Sequence, residues 1–311
     1  MPGLTAEQLQ QFDRDGFLVI PNFFTAEDAS GLRQVAARLL DDLDMATHPK
    51  TRFTTMDSDE HVGDDYFLSS GDKVRYFFEV DAFDDKGELV TDKTKAINKI
   101  GHALHELEPE FRKFSFRQGV KDIMHSLQYK DPRILQSMLI FKASARRRPP
   151  PPPAAQLLPQ PKIGGTVPPH QDSTFLYTNP PSAVGFWFAL EDCTLDNGCM
   201  WFLPGSHKTI PVWQRMVRKP TGSGTTFIHL QDPVPDPPES EYVCAPVSVG
   251  SLVLIHGAVY HKSGHNYSDK SRWIYTFHCI EGEDAGHTYD ERNWLQPTKE
   301  MPLAKLYETE A

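Results

Sequence analysis

Apolar and polar positions change rhythm near the middle of the chain. In the first third, Thr5 with Gln8 three residues later has the form of a capping box and opens a short helix through Phe12. Asp15-Gly16 then turns the chain into FLVIPNFF, which reads as a short strand. Thr25 and Asp28 repeat the start signal ahead of Leu32, Val35, Ala36, Leu39 and Leu40, whose spacing predicts a second helix with one apolar face. Residues 45–95 are polar, with DSDEHVGDD and DAFDDKGEL as loop or hairpin tips and Val74, Tyr76 and Phe78 alternating between them. Helical spacing returns from about Lys95 to Leu127, broken near Pro109.

From Ile134 onward the chain becomes short apolar runs separated by Gly, Pro, Asn and Asp. The runs SMLIFK, AVGFWFAL, GCMWFLP, TTFIHL, SLVLIHGA and RWIYTFHCI read as strands, and Asp196-Asn197-Gly198 marks a tight turn between two of them. Even spacing of this kind predicts an antiparallel double-sheet jelly roll. The expectation is an α+β fold in one domain, 1–311, with a mixed helical part over 1–130 and a jelly-roll core over 131–285. One segment breaks the pattern: ASARRRPPPPPAAQLLP, about 143–159, is proline-rich and basic and cannot continue the strand ending at Lys142. It is expected to be a disordered insert, either a splicing or gene-prediction product or a polyproline ligand for an SH3 or WW domain.

Composition narrows the classes. At 311 residues, 39% hydrophobic and 11% aromatic, the chain can bury a sizeable core. A formal net charge of -10 speaks against nucleic acid as a partner over a broad surface, because phosphate contacts need clustered Lys and Arg. No run approaches a membrane-spanning length, the N-terminus lacks the basic and apolar regions of a secretory signal, and the final residues form no peroxisomal or prenylation signal. A cytoplasmic monomer is the expectation. Cys193, Cys199, Cys244 and Cys279 make no C-x-x-C pair and are expected to stay reduced, the first two as packing thiols flanking a hairpin.

Candidate chemistry begins at His170-Gln171-Asp172. On an extended segment, residues two apart project to one face, so an imidazole and a carboxylate can reach one ion. Alone, H-x-D is common by chance. Some ninety residues on, GSLVLIHGAVYHKSGHNYSDKSRWIYTFH supplies histidines, a serine and an arginine along two adjacent strands. Two histidines and one carboxylate complete a facial triad with three coordination positions open. His102 and His105, three apart in the expected helix, also have ligand spacing but no carboxylate partner.

HQD at 170–172, NGCMWFLPGSH at 197–207, HKS at 261–263 and Arg272 eleven residues after His261 together resemble the phytanoyl-CoA dioxygenase family. The opening FDRDGFLVIPNFF is similar to that family's first strand, and AINKIGHALHELEP, LQSMLIFK and NWLQPT are similar to one branch of it. The resemblance spans nearly the whole chain outside the proline-rich segment. It implies a double-stranded β-helix of the cupin-like kind and an Fe(II)- and 2-oxoglutarate-dependent dioxygenase that releases succinate and CO2. The implied metal ligands and catalytic centre are His170, Asp172 and His261. The family register favours His261 over His256, because it puts Ser263 two residues on and Arg272 on the next strand. Arg272 is implied to hold the distal carboxylate of 2-oxoglutarate, which its guanidinium fork matches.

Ser263, Lys99, Met138 and Trp187 are implied as cosubstrate or pocket contacts. Plain alternatives stand beside three of them: a solvated helix cation for Lys99, core filling for Met138 and a barrel aromatic for Trp187. A surface salt bridge is the plain alternative for Arg272. O2, a small organic or acyl substrate and ascorbate as a supporting reductant complete the implied set. His207 is expected to stabilise the GSH turn, and His265 has no assigned role. Three readings remain alongside: a non-catalytic metal and 2-oxoglutarate binder, a zinc hydrolase, and a form whose insert impairs cosubstrate binding. Fold and cofactor leave the substrate open.

Overall fold

The computed structural model describes residues 3–52, 65–144 and 163–307. Both expected capping boxes are formed. The hydroxyls of Thr5 and Thr25 accept from the amides of Gln8 and Asp28, whose side chains accept from the threonine amides in return. They open helices Ala6–Asp15 and Ala26–Asp42, with Leu32, Ala36, Leu39 and Leu40 on the buried face of the second. Gly16 ends the first helix at φ 79, where a side chain would be strained and would press on the His207 ring.

In chain order, the first strands are β1 (Phe17–Ile20), β2 (Val74–Phe78), β3 (Ile97–His102) and β4 (Pro132–Lys142). Next come β5 (Val167–His170), β6 (Thr178–Asn179), β7 (Val184–Ala189), β8 (Met200–Phe202), β9 (Gln214–Arg218) and β10 (Thr225–His229). The last considered are β11 (Val243–Ala245), β12 (Leu252–His256), β13 (His261–Ser263) and β14 (Arg272–Glu281). A large antiparallel sheet runs β1-β12-β7-β14-β4-β3-β2, and a smaller one runs β11-β8-β13-β5. Their facing is the jelly roll expected from the sequence.

The large sheet is covered on both faces, so its central strands are buried almost throughout. Outward, Phe186, Phe188, Leu252, Leu254, Tyr275 and Phe277 pack against the helices in one core. Inward, Trp187, Ala189, Val253, Ile255 and Ile274 meet Cys199, Met200 and Phe202 of the smaller sheet. Strands buried on two sides read as continuous apolar runs, which is why β7 and β14 carry so few surface residues. All four cysteines are free thiols, three of them buried. No helix among the described residues is long and apolar enough to cross a membrane.

One expectation is corrected. The helical spacing from Lys95 to Leu127 holds for Leu104–Leu107, Pro109–Ser115 and Gln118–Ser126, with the break at Pro109, but INKIGH is β3. Ile97, Ile100 and Leu104 imitate a helix face, yet hydrogen bonding to β2 on one side and β4 on the other claims the segment. Of DSDEHVGDD all but its last residue, and of the proline-rich segment all but Ala143 and Ser144, lie outside the described residues.

The flanks of that segment meet. Asn266 donates its side-chain amide to the carbonyls of Lys142 and Ala143 and its backbone amide to that of Gly164. A Cβ on Gly164 would stand 2.8 Å from the Ala143 carbonyl oxygen. A short connection therefore suffices here. Deleting residues 147–160 is expected to move the melting temperature by no more than about 2 °C, since shortening a loop changes closure entropy slowly. Phe277→Ala, by contrast, removes a ring stacked on Phe186 at 4.9 Å and should cost about 3–5 kcal/mol in urea unfolding.

Candidate metal centre

Strand pairing sets the site. β5 and β13 are antiparallel neighbours with His170 directly opposite His261, and their rings lie 4.2 Å apart between centroids. Gln171 is extended, and its amide turns away to donate to the carbonyls of Ile210 and Ala258. Asp172 then opens a 3-10 turn, so the H-x-D element straddles a strand end rather than lying wholly on a strand. Its Oδ1 is 3.5 Å from His170 Nε2 and 3.6 Å from His261 Nε2. Ligand-type atoms of the three residues all lie within 4.8 Å of one another.

The imidazoles are aimed by their other nitrogens. His170 Nδ1 lies 2.9 Å from the Pro168 carbonyl and His261 Nδ1 3.1 Å from that of Val259. A carbonyl only accepts, so Nδ1 carries the proton and each Nε2 offers a lone pair toward Asp172. Burial, with His170 beside it, pushes His261 down to about 4 and keeps it neutral at physiological pH. For Asp172 burial works the other way, but the surrounding imidazoles outweigh it and hold the carboxyl well below its ordinary range. Two imidazoles and one carboxylate on one side of a point are a donor set for a divalent transition metal with open positions.

The second oxygen of Asp172 is also held. His278 Nε2 on β14 is 3.2 Å from Oδ2, and Gln136 of β4 stands behind its Nδ1. Neither was singled out from the sequence. The signal was present: Arg272, Ile274, Thr276 and His278 share one face of a strand by its period of two.

Arg272 lies opposite Lys142 in register, is 2% exposed and faces the Trp187 ring at 5.6 Å. Burial lowers its pKa, from so high a start that it stays charged. Among the described residues it makes no ion pair, Glu191 being paired with Arg33, and neither its Nε nor the buried Ser263 Oγ has a hydrogen-bond partner. The surface salt bridge is thereby excluded for Arg272. Lys142, also missed from the sequence, donates to the carbonyls of Gly165 and Gly264 and is pushed well down by burial, with Arg272 adding to it.

Lys99 is a buried strand residue, not a solvated helix cation. Its ammonium lies 3.9 Å from Met138 Sδ and over the rings of Phe77 and Phe67, and burial lowers it well below its usual value. Met138 projects beside it from β4, and Thr276 pairs both Met138 and Trp187.

The other histidines singled out from the sequence lie elsewhere. His102 is on β3 and His105 on the following helix, each bonded to a serine hydroxyl, Ser70 and Ser137, so the single-helix pair does not exist. His256 packs against His207 and Phe12. His207 ties the GSH turn to the Asp13 carbonyl, and His265 meets the Gly164 carbonyl.

The profile of the phytanoyl-CoA dioxygenase (PhyH) family matches residues 12–274. The chain is 45% identical over 313 residues to phytanoyl-CoA dioxygenase domain-containing protein 1 of Bos taurus, covering 99% of this chain and 100% of that protein. It is 41% identical over 300 residues to the Caenorhabditis elegans homolog, covering 96% and 98%. Among solved structures it resembles the non-heme alpha ketoglutarate dependent carbocyclase SnoK, with TM-score 0.59, 16% identity and 97% of each chain covered. It also resembles EctD from S. alaskensis with 2-oxoglutarate and 5-hydroxyectoine, with TM-score 0.59, 18% identity, and 98% and 87% covered. At such identities the structures speak for the fold, while the profile and the full-length relatives show that this chain belongs to the phytanoyl-CoA dioxygenase family.

Proposed function

We propose that residues 1–311 act as one Fe(II)- and 2-oxoglutarate-dependent dioxygenase domain that hydroxylates a small organic or acyl substrate. The observation that carries this reading is the pairing of two features between the same two sheets. One is the convergence of His170, Asp172 and His261. The other is a buried arginine that makes no ion pair among the described residues, Arg272, together with the buried hydroxyl of Ser263, unpartnered among them and two residues beyond a member of that triad. A buried cation needs a counter-charge, and a dicarboxylate reaching from the triad to Arg272 provides it. Relatives among the solved structures are titled as binding iron and 2-oxoglutarate, which agrees with that choice.

Bound iron, with 2-oxoglutarate and O2, would supply the oxidising chemistry: one oxygen atom of O2 enters succinate as CO2 leaves, and the other enters a C–H bond of the substrate. The chain's residues do the rest. His170 and His261 offer Nε2 donors, and Asp172 contributes the one negative ligand. Arg272 takes the distal carboxylate through its fork, with Ser263 Oγ donating a further hydrogen bond. Trp187 and Met138 wall the cosubstrate in, and Lys99, next to Met138 and under the rings of Phe67 and Phe77, adds a further hydrogen-bonding group.

The decisive assay is succinate formation from 2-oxoglutarate with Fe(II) and ascorbate under air, across a panel of acyl and small organic substrates. Asp172→Ala is expected to abolish it and to lose tight metal binding while the metal-free melting temperature stays close to that of the parent protein. Metal and 2-oxoglutarate bound without any succinate would favour a non-catalytic binder. Arg272→Ala should raise KM for 2-oxoglutarate by roughly 30- to 150-fold, the loss of about 2–3 kcal/mol from a charged bidentate contact. An unchanged KM in steady-state assays would remove Arg272 from the cosubstrate site.

A further inference from the structure

We infer that His278 is a positioning residue that holds one oxygen of Asp172 away from the metal and so keeps the carboxylate a one-point ligand. This rests on the metal-centre reading above and goes one layer outward from it. The two oxygens of Asp172 face different partners: Oδ1 looks toward His170 and His261, and Oδ2 toward His278. His278 is 5% exposed and sits in the central strand of the large sheet, packed between β4 and β7.

Its proton position follows from its neighbours. Asp172 Oδ2 can only accept, so Nε2 of His278, 3.2 Å away, carries a proton aimed at it, while the Gln136 side-chain amide stands 3.5 Å behind Nδ1. Gly185 faces His278 in register, and a Cβ there would stand 3.4 Å from both Asp172 Oδ2 and His278 Cδ2. The sheet thus leaves this pair its room. With Oδ2 engaged, the carboxylate does not swing round to take a second coordination position, which a two-point cosubstrate and O2 both require.

The test uses Co(II), whose absorption reports coordination number, titrated into metal-free protein without activity as the readout. His278→Leu is expected to weaken Co(II) binding by about 10- to 100-fold and to change the absorption spectrum, as the freed oxygen joins the metal. His278→Gln, which keeps a donor at similar reach, should recover most of the affinity and the parent spectrum. If the parent protein binds Co(II) through Asp172 and His278→Leu matches it in both affinity and spectrum, the positioning role is overturned while the metal centre stands. If the parent protein itself shows no Asp172-dependent binding, the metal-centre reading fails first. Should His278→Leu not fold, Gln136→Leu decides: a several-fold loss of Co(II) affinity supports the relay, and an unchanged affinity overturns it.

Discussion

The arrangement depends on one constraint, that β14 is covered on both faces by different things. Helices lie over one side and the smaller sheet over the other, so the strand's alternation becomes a division of labour. Tyr275, Phe277 and Cys279 go to the helical core, while Arg272, Ile274, Thr276 and His278 go to the space between the sheets. A slip of one residue would carry a guanidinium and an imidazole into a phenylalanine cluster, where neither has a counter-charge or an acceptor. Pairing with β4 without a break from Arg272 to His278, where one register shift follows, and six paired residues with β7 hold that register.

The interior this creates is electrostatically unusual. Arg272, Lys142 and Lys99 are all nearly sealed from water, and the desolvation cost lowers the pKa of each. The solutions differ. Lys142 is satisfied by loop carbonyls, and Lys99 leans on aromatic faces and a thioether. Arg272 keeps its fork open. Asp172 is the counterpart, an ionised carboxylate whose two oxygens are shared among three imidazoles.

What the sequence made legible was mostly local. Thr5 with Gln8 and Thr25 with Asp28 announce helices because the cap is made by residues three apart. The strands after Ile134 could be read because turns punctuate them, and the convergence of His170, Asp172 and His261 because family spacing groups them. Ile97 to His102 misled because their apolar spacing fits a helix, and only β2 and β4, brought from elsewhere, override it. Lys142 looked like the end of a strand, since its partners are carbonyls of Gly165 and Gly264 far along the chain. His278 was reachable by counting twos from Arg272, yet its partner Asp172 lies 106 positions away, and nothing in the sequence links them.

The clasp made by Asn266 has a consequence for how the chain could be divided. Everything before it ends with β4, which lies between β3 and β14, and everything after it begins with β5, so the large sheet is shared across the cut while the smaller one lies wholly after it. β1 and β4 from the first part are seated against β12 and β14 from the second. A single nick between Ser144 and Ile163 would leave two polypeptides interlocked by sheet hydrogen bonds. Cut there, the fold would make a split protein, with Lys99 and Met138 on one piece and His170, Asp172, His261 and Arg272 on the other.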